Sequence, residues 1–277
     1  MIKEIKDISD FLIHSQGIDI SIYEDAFLDK TLQKRITVTQ CDSMDAYYAL
    51  LEQSSKEGKL LIDSLQNNYS EFFRNSLTFA VLEHTVLPSL VLKKKQRKEI
   101  RIWSTACAGG QEVYSIAMLL DELRNGNKDK FKYRIFATDK SDDQINKARI
   151  GRYPSAALNN INFKRADKWF TQQSDIYIIK PELKESIDFS VFDLFDQKYS
   201  SPSVSIFGDF DIVVCANLLF YFKPEIRDQI LDKVSRSLSE GGYLITGEAE
   251  REILMNKNYR EFIPQSGIFQ RPLITKR

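Results

Sequence analysis

The sequence is poor in the residues on which metal and nucleophile chemistry usually rest. Two histidines, His14 and His84, in 277 residues leave a His-based triad or a zinc site almost without ligands. The three cysteines, Cys41, Cys107 and Cys215, are odd in number and show no Cys-x-x-Cys spacing, which excludes a disulfide framework and a zinc ribbon. Cys107 and Cys215 read as small buried apolar residues near strand ends. No metal is expected. Charge of either sign is not in excess: 39 Lys and Arg balance 39 Asp and Glu. A neutral chain has no general attraction for nucleic acid or an anionic membrane. No apolar run approaches a membrane span, and Met1–Asp7 alternates charge without an apolar signal core. A cytoplasmic protein with no nucleic-acid partner and no membrane insertion is expected. A Gly-x-Gly-x-x-Gly dinucleotide turn is also missing.

Helical periodicity is present up to about residue 90. Amphipathic helices are predicted over Ile2–Ser15, Ser21–Lys34, Ser43–Gln53 and Lys56–Gln66, with Ser43 as a helix start. Another runs from Ser76 towards Val91, with Pro88 in a bend or break. The basic run Lys93–Lys98 reads as a solvated linker, with contact to an acidic partner as the alternative. From Glu99 the texture alternates. Strands are predicted at Ile100–Thr105, Tyr133–Thr138, Ser186–Phe189, Phe210–Ala216 and Tyr243–Thr246. Helices are predicted at Gln111–Leu123, Asp142–Ile150 and Pro224–Leu238, the last ended by Gly241-Gly242. Strand–helix alternation implies an α/β fold with a parallel, doubly wound sheet. Residues from about 155 to 185 break the rhythm with aromatics and short β-like pieces, as a small inserted β-subdomain would. The division expected is a helical domain 1–85, a linker 86–98 and an α/β domain 99–277.

In open α/β sheets the ligand lies beyond the carboxyl ends of the strands. Four loops meet there. Ala106-Cys-Ala-Gly-Gly110 is a small-residue turn that lets a ligand approach the backbone. Asp139 ends the next strand, where a carboxylate takes two ribose hydroxyls. Asp193-Leu194-Phe195 offers an apolar wall and a polar edge to an adenine. Asn217, followed by Tyr221, ends the strand after that. Their order and spacing favour a nucleoside cofactor without a pyrophosphate, which fits S-adenosylmethionine, with S-adenosylhomocysteine as product.

These residues also carry a resemblance. Asn68-x-Ser70-x-Phe-Phe-Arg74, Arg101-Ile-Trp-Ser with Glu112-x-Tyr-Ser-Ile-Ala-Met118, Ala137-Thr-Asp139 with Lys147-Ala-Arg-x-Gly-x-Tyr-Pro154, and Cys215-x-Asn217 with Tyr221-Phe222 occur in order. With Gly241-Gly-Tyr-Leu244 they resemble the motifs of the CheR-type chemotaxis protein methyltransferases over nearly the whole length. The resemblance implies a Rossmann-like S-adenosylmethionine methyltransferase sheet with an N-terminal all-α domain, and methyl transfer to glutamates of a chemoreceptor-like helical protein. It implies that Asn68, Ser70 and Arg74 reach the cofactor from one side. Ala106, Gln111 or Glu112, Asp139, Asp193, Leu194, Asn217 and Tyr221 would line it from the sheet. The inserted β-subdomain occupies the place where members of the family dock a receptor tail. A monomer is expected.

Departures from the family pattern are visible. Ala106-Cys-Ala-Gly-Gly-Gln-Glu-Val113 stands for Gly-Cys-Ser-Thr-Gly-Glu-Glu-Pro, so Gln111 replaces a carboxylate. Ala216 replaces an arginine and Asp193 an asparagine. The helical region is less basic than expected of a surface gripping an acidic receptor helix, and Lys30, Lys34 and Arg35 are its one candidate basic stripe. These departures keep two alternatives open: a cofactor-binding signalling module with weakened catalysis, and a methyltransferase for another carboxylate. For a glutamate acceptor no strong base is needed, since the carboxylate is ionised at neutral pH. Arg74 and Tyr221 are then the side chains expected to orient it, the first as a planar fork, the second as a single donor.

Overall fold

The computed structural model describes residues 3–66, 69–94, 99–126, 131–196, 198–205 and 208–271. Two compact units are present. The first comprises Met1–Asn67 and Phe220–Asp228, the second Asn68–Leu219 and Gln229–Arg277.

In the first unit, helices Lys3–Gln16, Asp25–Thr39, Met44–Gln53 and Ser55–Leu65 correspond to the four expected, the second lying four to five residues later than Ser21–Lys34. Ser43 caps the third, its side chain accepting from Ala46 N at 3.1 Å, and Ser54 caps the fourth through Glu57 N at 3.2 Å. Ile5, Ile8 and Leu12, three and four apart, enter one apolar core with Leu28, Leu32, Leu51, Leu61 and Leu65. The late segment Phe220–Asp228 completes this unit. Phe222 stacks on Tyr23 with centroids 5.0 Å apart, Glu24 N donates to Tyr221 O at 2.9 Å, and Lys223 N donates to Ile22 O at 2.9 Å.

In the second unit the expected helix through Pro88 is continuous but not regular. Helix Ser76–Val81 passes into a π-turn, Leu82–Val86, and then into helix Leu87–Lys93, with Pro88 in its first turn. Proline has no N–H to give and crowds the carbonyl four residues back, and the wider π-turn before it relieves both. Residues 95–98 of the basic run lie outside the described residues.

The strands of this unit are, in chain order, β1 Ile100–Ser104, β2 Tyr133–Asp139, β3 Arg152–Pro154, β4 Phe170–Gln173, β5 Ile176–Ile179, β6 Ile187–Val191, β7 Phe210–Val214, β8 Leu238–Ile245 and β9 Ile268–Gln270. Six form a sheet in the order β6-β2-β1-β7-β8-β9, parallel except for β9. The order turns back at β1, with β2 and β6 on one side and β7 and β8 on the other. The crevice beside the end of β1 is therefore where such sheets hold a ligand. The other three strands form the small sheet β3-β5-β4, which begins at Arg152, slightly earlier than expected.

Two details differ from expectation. β8 starts at Leu238, so Gly241 and Gly242 lie inside a strand and do not terminate the preceding helix, Pro224–Ser237. The register against β7 slips between Phe210 and Ile212, and a Cβ on Gly242 would lie 3.0 Å from Phe210 O. The glycine pair serves an irregularity where backbones approach closely. β9 was not anticipated.

Several motif residues hold this framework together. Trp103 is fully buried and its Nε1 donates to Thr138 Oγ1 at 2.9 Å. Arg101 donates to Ser205 Oγ at 2.8 Å and lies over the Phe136 ring at 4.8 Å.

Candidate functional site

The turn after β1 is built from backbone contacts that leave small residues facing the crevice. Thr105 N donates to Val214 O at 2.9 Å, Cys107 N to Thr138 O at 2.8 Å, and Gly110 N to Cys107 O at 2.9 Å. Ala108 adopts a left-handed backbone, φ +45°, and Gly110 one of +89°. A Cβ on Gly110 would lie 3.0 Å from that of Ala148, so only glycine closes this turn against the neighbouring helix Asp142–Ile150. Tyr153, from the Gly-x-Tyr-Pro motif on β3, donates its hydroxyl to Gly109 O at 2.6 Å. The small sheet thus braces the turn.

Asp139 stands at the end of β2 as expected. Its Oδ2 accepts from Ala108 N and its Oδ1 from Ser141 N, both at 2.9 Å. Each carboxylate oxygen keeps a lone pair for a further donor such as a ribose hydroxyl. Burial pushes its carboxyl up, against the pull of these backbone N–H groups.

The segment Ser70–Arg74 lies against the same turn. Gln111, the first residue of helix Gln111–Gly126, donates Nε2 to Ser70 O at 3.2 Å. Its Oε1 is buried and has no partner among the described residues. Phe73, left-handed at φ +50°, donates its N–H to Ser115 Oγ at 3.0 Å. Arg74 donates to Tyr69 O at 3.3 Å and lies over the Tyr69 ring at 5.3 Å. Among the described residues Arg74 makes no ion pair. Glu112 turns to the sheet, accepting from Ser104 Oγ at 2.8 Å. Burial pushes its carboxyl up to about 7; the Ser104 bond and the Arg74 charge pull down, and Glu250 adds to the rise.

Beyond β6, Asp193 pairs with Lys140 at 3.0 Å and accepts from Phe195 N at 2.9 Å, with Leu194 half-buried beside it. Beyond β7, Asn217 is left-handed at φ +59°. Glu250, which sequence reading missed, holds this loop. One of its oxygens accepts from Leu218 N and Leu219 N at 2.6 Å each, the other from Asn217 N at 2.7 Å and Gly247 N at 2.8 Å. Its one local partner is Gly247 N, three residues before it; the other three lie more than thirty residues earlier and leave no mark in the sequence around Glu250.

In the second unit a hydrogen bond ties Gln111 to Ser70, the Arg74 charge bears on Glu112, Asp139 holds the turn that begins at Ala106, and Asp193, Leu194 and Asn217 lie in the segments that follow β6 and β7. Asn68 lies outside the described residues. Tyr221 belongs to the first unit, where its ring packs on Phe27 at 4.7 Å. Of the expected basic stripe in the first unit, Lys30 and Lys34 are exposed, and Arg35 pairs with Glu57, donating Nε to Oε1 at 2.9 Å and Nη2 to Oε2 at 2.7 Å. Tyr47 completes this network with a 2.8 Å bond to Glu57. A buried carboxylate needs such a partner, and a guanidinium so engaged is not available to a substrate. A cleft of about 440 Å³ in the same unit is lined by acids and apolar groups, among them Glu4, Asp7, Asp10, Asp45 and Tyr48. Cys107 and Cys215 are buried thiols, which burial pushes well up from their ordinary range. Among the described residues no helix is long and apolar enough to cross a membrane.

Two family models match the chain. One, described as CheR methyltransferase, SAM binding domain, covers residues 68–267, and the other, CheR methyltransferase, all-alpha domain, covers residues 3–65. A chemotaxis protein methyltransferase of Borreliella burgdorferi is 32% identical over 266 residues, 94% of this chain and 92% of its own. Chemotaxis protein methyltransferase 1 of Pseudomonas aeruginosa is 31% identical over 77% of each chain. A chemotaxis protein methyltransferase of Listeria innocua is 30% identical over 85% of each. A small-residue turn closed by Gly110, an acid at the end of β2 and a buried acceptor on Gln111 fit the S-adenosylmethionine that this domain binds. The chain belongs to the CheR methyltransferase family, the S-adenosylmethionine-dependent methyltransferases of chemotaxis signalling.

Proposed function

We propose that the protein transfers a methyl group to glutamate side chains of a chemoreceptor-like helical protein, giving glutamyl methyl esters. The observation that carries this reading is Arg74. Its guanidinium sits on a segment strapped to the cofactor turn, is held by a carbonyl and a ring, and makes no ion pair among the described residues. An arginine held by neutral groups keeps its fork for an incoming carboxylate.

Asp139, Gln111, Glu112, Ala106, Ser70, Asp193, Leu194 and Asn217 are the residues that would hold the cofactor. When bound, S-adenosylmethionine supplies a sulfonium methyl group open to displacement. Arg74 orients the acceptor carboxylate, which is ionised at neutral pH and needs no base. The side chains around the crevice contribute by fixing the approach and excluding water. A limit applies to Arg74: clamping the carboxylate equally in ground and transition states would not raise kcat. Lys30 and Lys34 are proposed as contacts for the acidic receptor helix.

Incubation with methyl-labelled cofactor and a chemoreceptor signalling fragment tests the reading. Base-labile label on the fragment, lost with Arg74→Ala, is expected. Cofactor binding with no label transferred to any receptor fragment would favour the signalling-module alternative.

A further inference from the structure

Four residues of the second unit that are not glycine hold left-handed backbone at or beside proposed site residues. They are Phe73, Asn75, Ala108 and Asn217, at φ +50°, +62°, +45° and +59°. Such conformations are unfavourable for a side-chain-bearing residue and persist only where the surroundings over-determine them. At Phe73, Ala108 and Asn217 the residue's own N–H is taken by a side chain from elsewhere in the chain. Phe73 N donates to Ser115 Oγ, Ala108 N to Asp139 Oδ2, and Asn217 N to Glu250 Oε2, at 3.0, 2.9 and 2.7 Å. Asp139 is already placed in the site. Ser115 and Glu250 are not.

We propose that Ser115 and Glu250 are positioning residues of the methyltransferase site: each fixes, through one side-chain acceptor, the strained backbone that presents Arg74 or Asn217. This rests on the placement of Arg74 and Asn217 in the site. Ser115 is fully buried, and its hydroxyl donates to Gln111 O at 2.7 Å while accepting from Phe73 N. It therefore sets the residue before Arg74 relative to the first turn of the cofactor helix. Glu250 is also fully buried, and among the described residues no cation pairs with it. Four backbone N–H groups surround it instead, three of them from consecutive residues 217–219. Burial pushes its carboxyl up and these N–H groups pull it down; the ionised form is the one that accepts all four. Glutamine would keep one accepting oxygen and turn an NH₂ donor towards two of the N–H groups. Gly247 closes the loop from the other side, since a Cβ there would lie 2.4 Å from Asn217 Nδ2 and 3.0 Å from its backbone N.

The test uses the full chain and three variants, Ser115→Ala, Glu250→Gln and Gly247→Ala. Amide hydrogen exchange is read at Phe73 and at residues 217–219, with S-adenosylhomocysteine affinity by calorimetry, global stability by denaturant, and turnover on a receptor fragment. Glu250→Gln is expected to speed exchange at 217–219 and weaken S-adenosylhomocysteine binding about tenfold, the equivalent of about 1.4 kcal/mol. Gly247→Ala is expected to do the same while keeping the carboxylate and all four N–H groups, and carries the test if Glu250→Gln does not fold. Ser115→Ala is expected to speed exchange at Phe73 and lower kcat about tenfold while S-adenosylhomocysteine affinity changes less. Lost global stability with unchanged affinity and turnover would show a merely structural role and overturn the proposal, as would unchanged exchange at these amides. The affinity arm needs no methyl acceptor, so inactivity on receptor fragments bears on the proposed substrate and not on Glu250.

Discussion

Gln111 and Glu112 are neighbours with different duties, and the difference sets two predictions. Glu112 has its carboxyl raised by burial from the ordinary 4.5 to about 7. Folding thus favours the protonated form, and the stability this contributes is complete below about pH 4.5 and lost as pH rises through 7. Denaturant titrations of the cofactor-free protein are expected to show stability falling over that window, and Glu112→Gln is expected to remove this part of the pH dependence. For Gln111, the amide donates to Ser70 O, which a carboxylate cannot do. Gln111→Glu is therefore expected to weaken cofactor binding, by about 1–2 kcal/mol for a donor lost beside a buried acceptor, and calorimetry reads it. In the sequence Gln111 counted as a lost carboxylate; its hydrogen bond to a residue 41 positions earlier was not legible there. Asp139 was legible, because a strand end followed by a capped helix fixes where its carboxylate goes.

At the scale of elements, what local chemistry specifies was readable, and what long-range pairing specifies was not. Ser43 announces its helix because a side-chain oxygen on a helix amide is a local event. The start of β8 at Leu238 depends on pairing with Phe210, and β9 exists only because β8 offers it an edge. Arg35 shows the same limit: three basic residues on one helix predict a stripe, yet Glu57 on another helix takes one of them. Arg35→Ala is expected to destabilise the first unit by about 3 kcal/mol, because it strands a buried carboxylate. Lys30→Ala and Lys34→Ala, both exposed, are expected to change stability by less than about 0.5 kcal/mol. Receptor-fragment KM is expected to respond to the lysines. Chemical denaturation together with steady-state kinetics separates the two effects.

At the scale of the whole molecule, the first unit is discontinuous. Helical periodicity marks its N-terminal part, but Phe220–Asp228 gives no sign in sequence of leaving the sheet-bearing unit; Tyr221-Phe222 reads as a strand-end pair until the stack on Tyr23 is seen. Phe222 is 5% exposed, so Phe222→Ala is expected to destabilise the helical unit by about 3–5 kcal/mol. Loss of that unit's helical signal at lower denaturant than in the unmodified chain would show it. The discontinuity also has a consequence in time. A ribosome delivers Lys3–Leu65 early, but the strand-like bridge between Tyr23 and Phe222 must wait until residues up to 228 have emerged. At about 5–20 residues per second that delay is on the order of ten seconds or more, long compared with helix formation. For that interval the nascent helices keep an apolar edge uncovered, a vulnerable span during which chaperones or proteases have their best access to the chain.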